Sequence, residues 1–403
     1  MAAWLVCNLA PAQAASRTVL REEIQLAVWH GRNQEHLQAI RQITRATQAT
    51  RRGLAITIRA FPPEAAYRQI QQWCEPKAMH VPDVVVVPDI WLPTFSAYLQ
   101  PLNALLPARD VRRYPESVRQ RLRHADSLYG IPWRVKAQAL FYLPKVLSEV
   151  GVLPPRTWDE LLTAARRCHK PPQVYGFGLP GVRDEGASRL LLQLLRARGG
   201  ALPPVHDPSV LSVEPFTKAL QLYTDLHKAA EPEVLSWDQP SLEEFFLEGR
   251  LAMLVSDCSF EQYIRRQDAD PGYATCPVPS RTAPGGQVSV EMACIFAGTD
   301  HREAAVALLR ALTKPSAAER LLQLGGVPAH NQLLSKYRLE PRYAPYVQGI
   351  DRAEGLPVQR WGSAQPILAD ALFYVLTGRR TVQEAASWAC EAFAGAVELE
   401  PAT

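Results

Sequence analysis

LAITIRAFPPEAAYRQIQQWCEPKAMHVPDVVVVPDIW, residues 54–91, decides the fold. The β-branched run Leu54 to Phe61 reads as a strand. Pro62-Pro63 opens a helix that continues through Ile70, and Pro82-Asp83 precedes a second strand, Val84 to Val87. On the N-terminal side Ile24, Leu26 and Val28 alternate as a strand and lead to Trp29-His30-Gly31. Leu37, Ile40, Ile43 and Ala46 then keep a helical spacing until Gly53 breaks it. Strand, helix, strand, helix, strand at this spacing predicts parallel pairing with right-handed crossovers. The uninterrupted valines fit a strand covered on both faces.

A second α/β segment follows. Thr157-Trp158-Asp159-Glu160 and Ser241-Leu242-Glu243-Glu244 both read as capping boxes, as does Thr381 with Glu384. Gly249 closes a helix before a strand at Leu251 to Val255. With 403 residues and no flexible tether, two lobes sharing strands are expected rather than separate beads. Charge is near balance, 44 basic against 40 acidic side chains, and the basic residues are dispersed. That excludes a nucleic-acid footprint; Arg112, Arg113, Arg119, Arg121 and Arg123 read as one solvated helix face. No apolar stretch is long enough to span a bilayer. MAAWLVCNLAPAQAA has an apolar patch and the triplet Ala12-Gln13-Ala14, so residues 1–14 read as a signal-peptide remnant lacking its basic start. The cysteines beyond it stand at 74, 168, 258, 276, 294 and 390 without C-x-x-C or zinc spacing. No metal or cofactor is therefore expected, and any pairing of the cysteines stays open.

Ligands of open α/β sheets bind beyond the carboxyl ends of the strands. Those positions hold Trp29 and His30, Asp89 and Trp91, Trp133, Arg134 and Lys136, and Asp257 and Phe260. Each pairs an aromatic with a hydrogen-bonding group, which suits a sugar: C–H faces stack on rings while hydroxyls meet carboxylates and amides. For any one of these rings the alternative is a packed core residue. GFGLPG (176–181) matches G-x-G-x-x-G, but Pro180 sits inside it and Val182 to Gly186 reads on as loop, so no helix starts where a phosphate would need one. Asp89 and Glu291 could form a hydrolytic carboxylate pair if about 5 to 9 Å apart.

Further stretches resemble carbohydrate-type extracellular solute-binding proteins, the maltose-binding-protein-like receptors of ABC importers. YGIPWRVKAQALFYLPKVLSEVGVLPPRTWDELLTAARR (129–167) is similar to their hinge-crossing segment, and PDVVVVPDIWLPTFSAYLQPL (82–102) to their first-lobe ligand strand. SLEEFFLEGRLAMLVSDCSF (241–260) resembles their helix-Gly-strand segment, and HREAAVALLRALTKPSAAERLLQLGGVPAHNQ (301–332) their returning helices; the likeness runs from Val19 to Ala396. It implies an α/β, two-lobe periplasmic-binding-protein fold (type II), each lobe a mostly parallel sheet flanked by helices around a cleft. Lobe 1 would hold 19–132 and 288–326, lobe 2 would hold 133–287 and 327–403, with crossings near Pro132, Gln287 and Gly326. It also implies a monomer outside the cytoplasm that closes on a mono- or oligosaccharide and delivers it to ABC permease subunits. Carried over by position, Asp89 matches the first-lobe carboxylate, Phe260 the stacking aromatic, Glu291 the turn after the hinge strand, and Trp361 with Arg360 the last ligand loop. Val290-Glu291-Met292 and Cys258-Ser259-Phe260 replace Gly-Gly-Trp and Gly-Pro-Trp of the family. Less ring area and an extra carboxylate leave an amino-bearing or cationic solute open, beside a carboxylate-pair glycosidase. A ferric-binding relative would need paired tyrosines, and Tyr337, Tyr343 and Tyr346 lack the companion ligands.

Overall fold

The computed structural model describes residues 22–29, 34–50, 53–181, 185–201, 212–230, 237–266, 272–280, 286–350 and 361–398. The segment 1–14, His30 and Arg360 lie outside the described residues. Strand β1 (Glu22–Trp29) pairs in parallel with β2 (Leu54–Phe61) and with β3 (Val84–Pro88), as the opening stretch predicts. The four valines of β3 are almost wholly buried, as a strand covered on both faces requires.

The rest of the sheet is antiparallel, so the whole is mixed, in the order β2-β1-β3-β9 (Val288–Ile295)-β6 (Gly130–Tyr142)-β7 (Met253–Asp257), with β8 (Ala274–Cys276) also on β6. The cause is β6, a 13-residue strand that at about 3.3 Å per residue reaches across the molecule. Its first part pairs with β9, and its last part with β7 and β8. A short hairpin, β4 (Arg123–His124) and β5 (Ser127–Leu128), stands apart. Two apolar clusters result. One runs from β1–β3 through β6 and β9; the other gathers the helices Trp158–Cys168, Glu185–Ala197, Val213–His227, Trp361–Leu376 and Val382–Glu398.

The capping boxes at Thr157 and Thr381 form as read. The third reading needs correction. The helix Gln239–Leu247 begins before Ser241, and Asp238 is its cap, its carboxylate taking the Ser241 N–H at 3.0 Å. Pro240 fits the first helical turn, where no N–H is required, so the start moves towards the N-terminus. A second correction concerns the glycines of 176–181. Tyr175 and Gly178 bridge to Leu251 and Leu254, and a Cβ on Gly176 would stand 1.9 Å from the Ala165 carbonyl oxygen. These glycines permit close backbone packing. A helix does begin shortly afterwards, at Glu185, inside the stretch read as loop.

Candidate functional site

Asp89 leads the 3-10 turn Asp89–Trp91 directly after β3. Its side chain is buried, and its carboxyl accepts hydrogen bonds from the Ile90 and Val290 backbone N–H groups. Burial pushes its pKa up to about 6, against the pull of Arg121 and Arg189. Arg189 comes from the helix Glu185–Ala197 of the second cluster, and Ile90 packs against that same cluster. The end of β3 therefore meets the other half of the molecule.

Around Arg189 the partners are specific. Its guanidinium donates twice to Glu185 Oε1, at 3.1 and 2.8 Å, and the Trp361 indole N–H donates to the same oxygen at 2.7 Å. Gln287 Nε2 donates to the Arg189 carbonyl at 3.0 Å. Trp361 begins the helix Trp361–Leu376 and is 5% exposed, so it is part of the second core, with its N–H committed to Glu185.

A second polar group lies one residue further along β9. Arg134 bonds both oxygens of Glu291, with Nε at 3.0 Å from Oε2. Lys136 stands 3.8 Å from Asp257, whose Oδ1 also accepts the Ser259 N–H at 2.7 Å. Burial works to raise the Asp257 carboxyl, but Lys136, the Ser259 hydrogen bonds and Arg134 hold it below the usual carboxylate range. Glu291 is likewise held low by Arg134 and Lys136 in spite of burial. Glu243, bonded by Ser256 and Gln239, is pushed up by burial to about 7.

Other expected site residues are placed differently. Phe260 is 2% exposed and packs on Phe141 at 5.0 Å and Phe246 at 6.0 Å, the environment of a core ring and not of one lining an open cleft. Trp133 is buried against the turn that carries Gly326 and Val327. Trp29 gives its indole N–H to the Val86 carbonyl and packs among Phe61 and Trp73. Trp91 remains partly exposed, edge-on to Tyr67 at 5.2 Å. Both oxygens of Glu291 are occupied by Arg134, which leaves it poorly suited to act with Asp89 as a hydrolytic pair. The sequence reading missed Glu185, Arg189 and Arg121. The five arginines read as one solvated face divide: Arg112, Arg119 and Arg123 line a cavity of about 360 Å³, Arg113 reaches Asp110 and Thr313, and Arg121 acts on Asp89. No sequence signal separates Arg121 from its neighbours, because the five are spread over the end of the helix Ala108–Val111, the turn after it, the helix Glu116–Arg121 and β4, and the fold decides which of them faces inward.

Comparison with known proteins gives three findings. Residues 55–319 match the family described as bacterial extracellular solute-binding protein. A Deinococcus radiodurans protein named "Probable ABC transporter-binding protein" is 26% identical over 199 residues, and the match spans 47% of each chain, about half the length of that relative. Among solved structures, the cyclic α-maltosyl-1,6-maltose binding protein of Arthrobacter globiformis superposes with a TM-score of 0.80 at 18% identity, covering 94% of this chain and 100% of that one. The GacH receptor of Streptomyces glaucescens, solved unliganded and with acarbose, gives 0.77 at 18% identity, covering 94% and 99%. At such identity the likeness is one of fold, and it is the two-lobe type II architecture.

Proposed function

Since this chain belongs to the bacterial extracellular solute-binding protein family, we propose that it is the capture subunit of an ABC importer that closes on a small carbohydrate or polyol. The observation that carries this reading is that the end of β3 packs through Ile90 on the second cluster, which brings Asp89 within the electrostatic reach of Arg189, itself held by Glu185 beside Trp361. A buried carboxylate and a guanidinium held in place by its own carboxylate offer fixed acceptors and fixed donors, and the half-buried Trp91 offers an apolar face. A polyhydroxylated ring needs all three, and a neutral one leaves the existing charge pairs intact. The structurally similar proteins named for a maltosyl-maltose and crystallised with acarbose support the same ligand class.

Lys136, Asp257 and Trp91 complete the proposed lining, with His30 and Arg360 as further expected contributors. The lobes are assigned as 19–132 with 288–326 and 133–287 with 327–403. The receptor acts as a monomer outside the cytoplasm, hands its ligand to membrane permease subunits and performs no turnover. The test is a thermal-shift screen against mono- and disaccharides, maltodextrins, polyols and amino sugars. A ligand at 100 times its Kd is expected to add about 2.7 kcal/mol to native stability. Stabilisation by amino-bearing or cationic solutes alone, or turnover of an aryl glycoside, would displace the reading.

A further inference from the structure

Three chain segments lie side by side where the two halves join: β6 around Arg134, β9 around Glu291, and the turn 322–327. A bulge between Pro132 and Arg134 shifts the register of β6. Pro132 pairs with Met292, the next residue of β9 pairs with Arg134, and Trp133 is the extra residue. In an antiparallel pair, residues directly opposite project to the same face. The bulge therefore sets Arg134 on the same face as Glu291.

Every nitrogen of that guanidinium is used. Nε and one terminal nitrogen bind the two Glu291 oxygens, and the other terminal nitrogen donates to the Leu324 carbonyl at 3.0 Å. Arg134 thus touches both of the other segments at once. The third is clasped further. Val327 N–H donates to the Val135 carbonyl at 2.8 Å, and Gln262 Nε2 to the Leu322 carbonyl at 2.8 Å. A Cβ on Gly326 would stand 3.0 Å from the Val135 carbonyl oxygen, so the absence of a side chain eases the close approach of this turn. A planar fork with fixed donor directions suits this task, whereas an ammonium is a point charge that cannot reproduce the geometry.

We propose that Arg134 is a positioning residue for capture: by binding Glu291 and the Leu324 carbonyl together it makes the three segments move as one hinge and sets the resting angle between the lobes. Glu291 then belongs to the hinge and not to the ligand. The proposal rests on the two-lobe capture reading. It matters for binding because apparent affinity scales with the fraction of molecules already in the competent arrangement.

The test uses unliganded protein, so it stands whichever solute the cleft takes. Native-state hydrogen exchange and small-angle scattering are measured for the parent, Arg134→Met, Arg134→Lys and Glu291→Gln. In Arg134→Met the Val327 amide is expected to exchange on the order of tenfold faster, and the pair-distance distribution to shift and broaden. Arg134→Lys keeps the charge without the fork, so it falls between parent and Arg134→Met. Glu291→Gln retains the bond to Leu324 and shows the smaller change, which also serves if Arg134→Met fails to fold. A purely structural pair would lower the melting temperature while Val327 exchange and the scattering profile stay as in the parent. That outcome overturns the proposal.

Discussion

At Asp89 the pH dependence of stability has a definite sign. The folded carboxyl titrates near 6, above the 3.8 of a free side chain, so the fold disfavours its ionised form. Ionised Asp89 therefore costs about 3 kcal/mol at pH 7, falling below about 1 kcal/mol near pH 4, where the native state holds the proton. Asp89→Asn lacks this term. Its stability relative to the parent, from urea unfolding of the unliganded proteins, should fall as pH drops from 7 to 4; a constant difference would mean that Asp89 is not held as described. Single residues were also the least legible in sequence. Phe260 and Trp361 look alike as strand-end or loop aromatics, yet one ring packs on Phe141 and the other bonds Glu185. What separates them is tertiary packing, which no local pattern records.

Elements were far more legible. Leu54–Phe61 is a strand over the residues read as one, because Gly53 and Pro62 bracket it. The helix Gln239–Leu247 starts earlier than read, because Asp238 and Ser241 are both residue types favoured at an N-cap and the position of Pro240 favours the former. The glycines of 176–181 were legible as unusual but not as to cause. Gly176→Ala would drive a methyl group into the Ala165 backbone and should cost about 3 kcal/mol or more. Gly298→Ala, whose Cβ would meet nothing within 4 Å, is the matched control. Melting curves of the two, expressed in parallel, check this: equal stability would show that the close approach at Gly176 is not required.

For the whole molecule, the alternation of strands and helices announces the α/β class, and β6 explains how one sheet serves two lobes. The encounter of Asp89 with Arg189 was not legible, since it depends on how far the hinge brings the lobes together. Closure around a ligand at that encounter is the central claim. Small-angle scattering with and without a sugar proven by calorimetry to saturate the protein tests it most directly. The account predicts a smaller radius of gyration in the saturated sample, and an unchanged profile at proven saturation would contradict it.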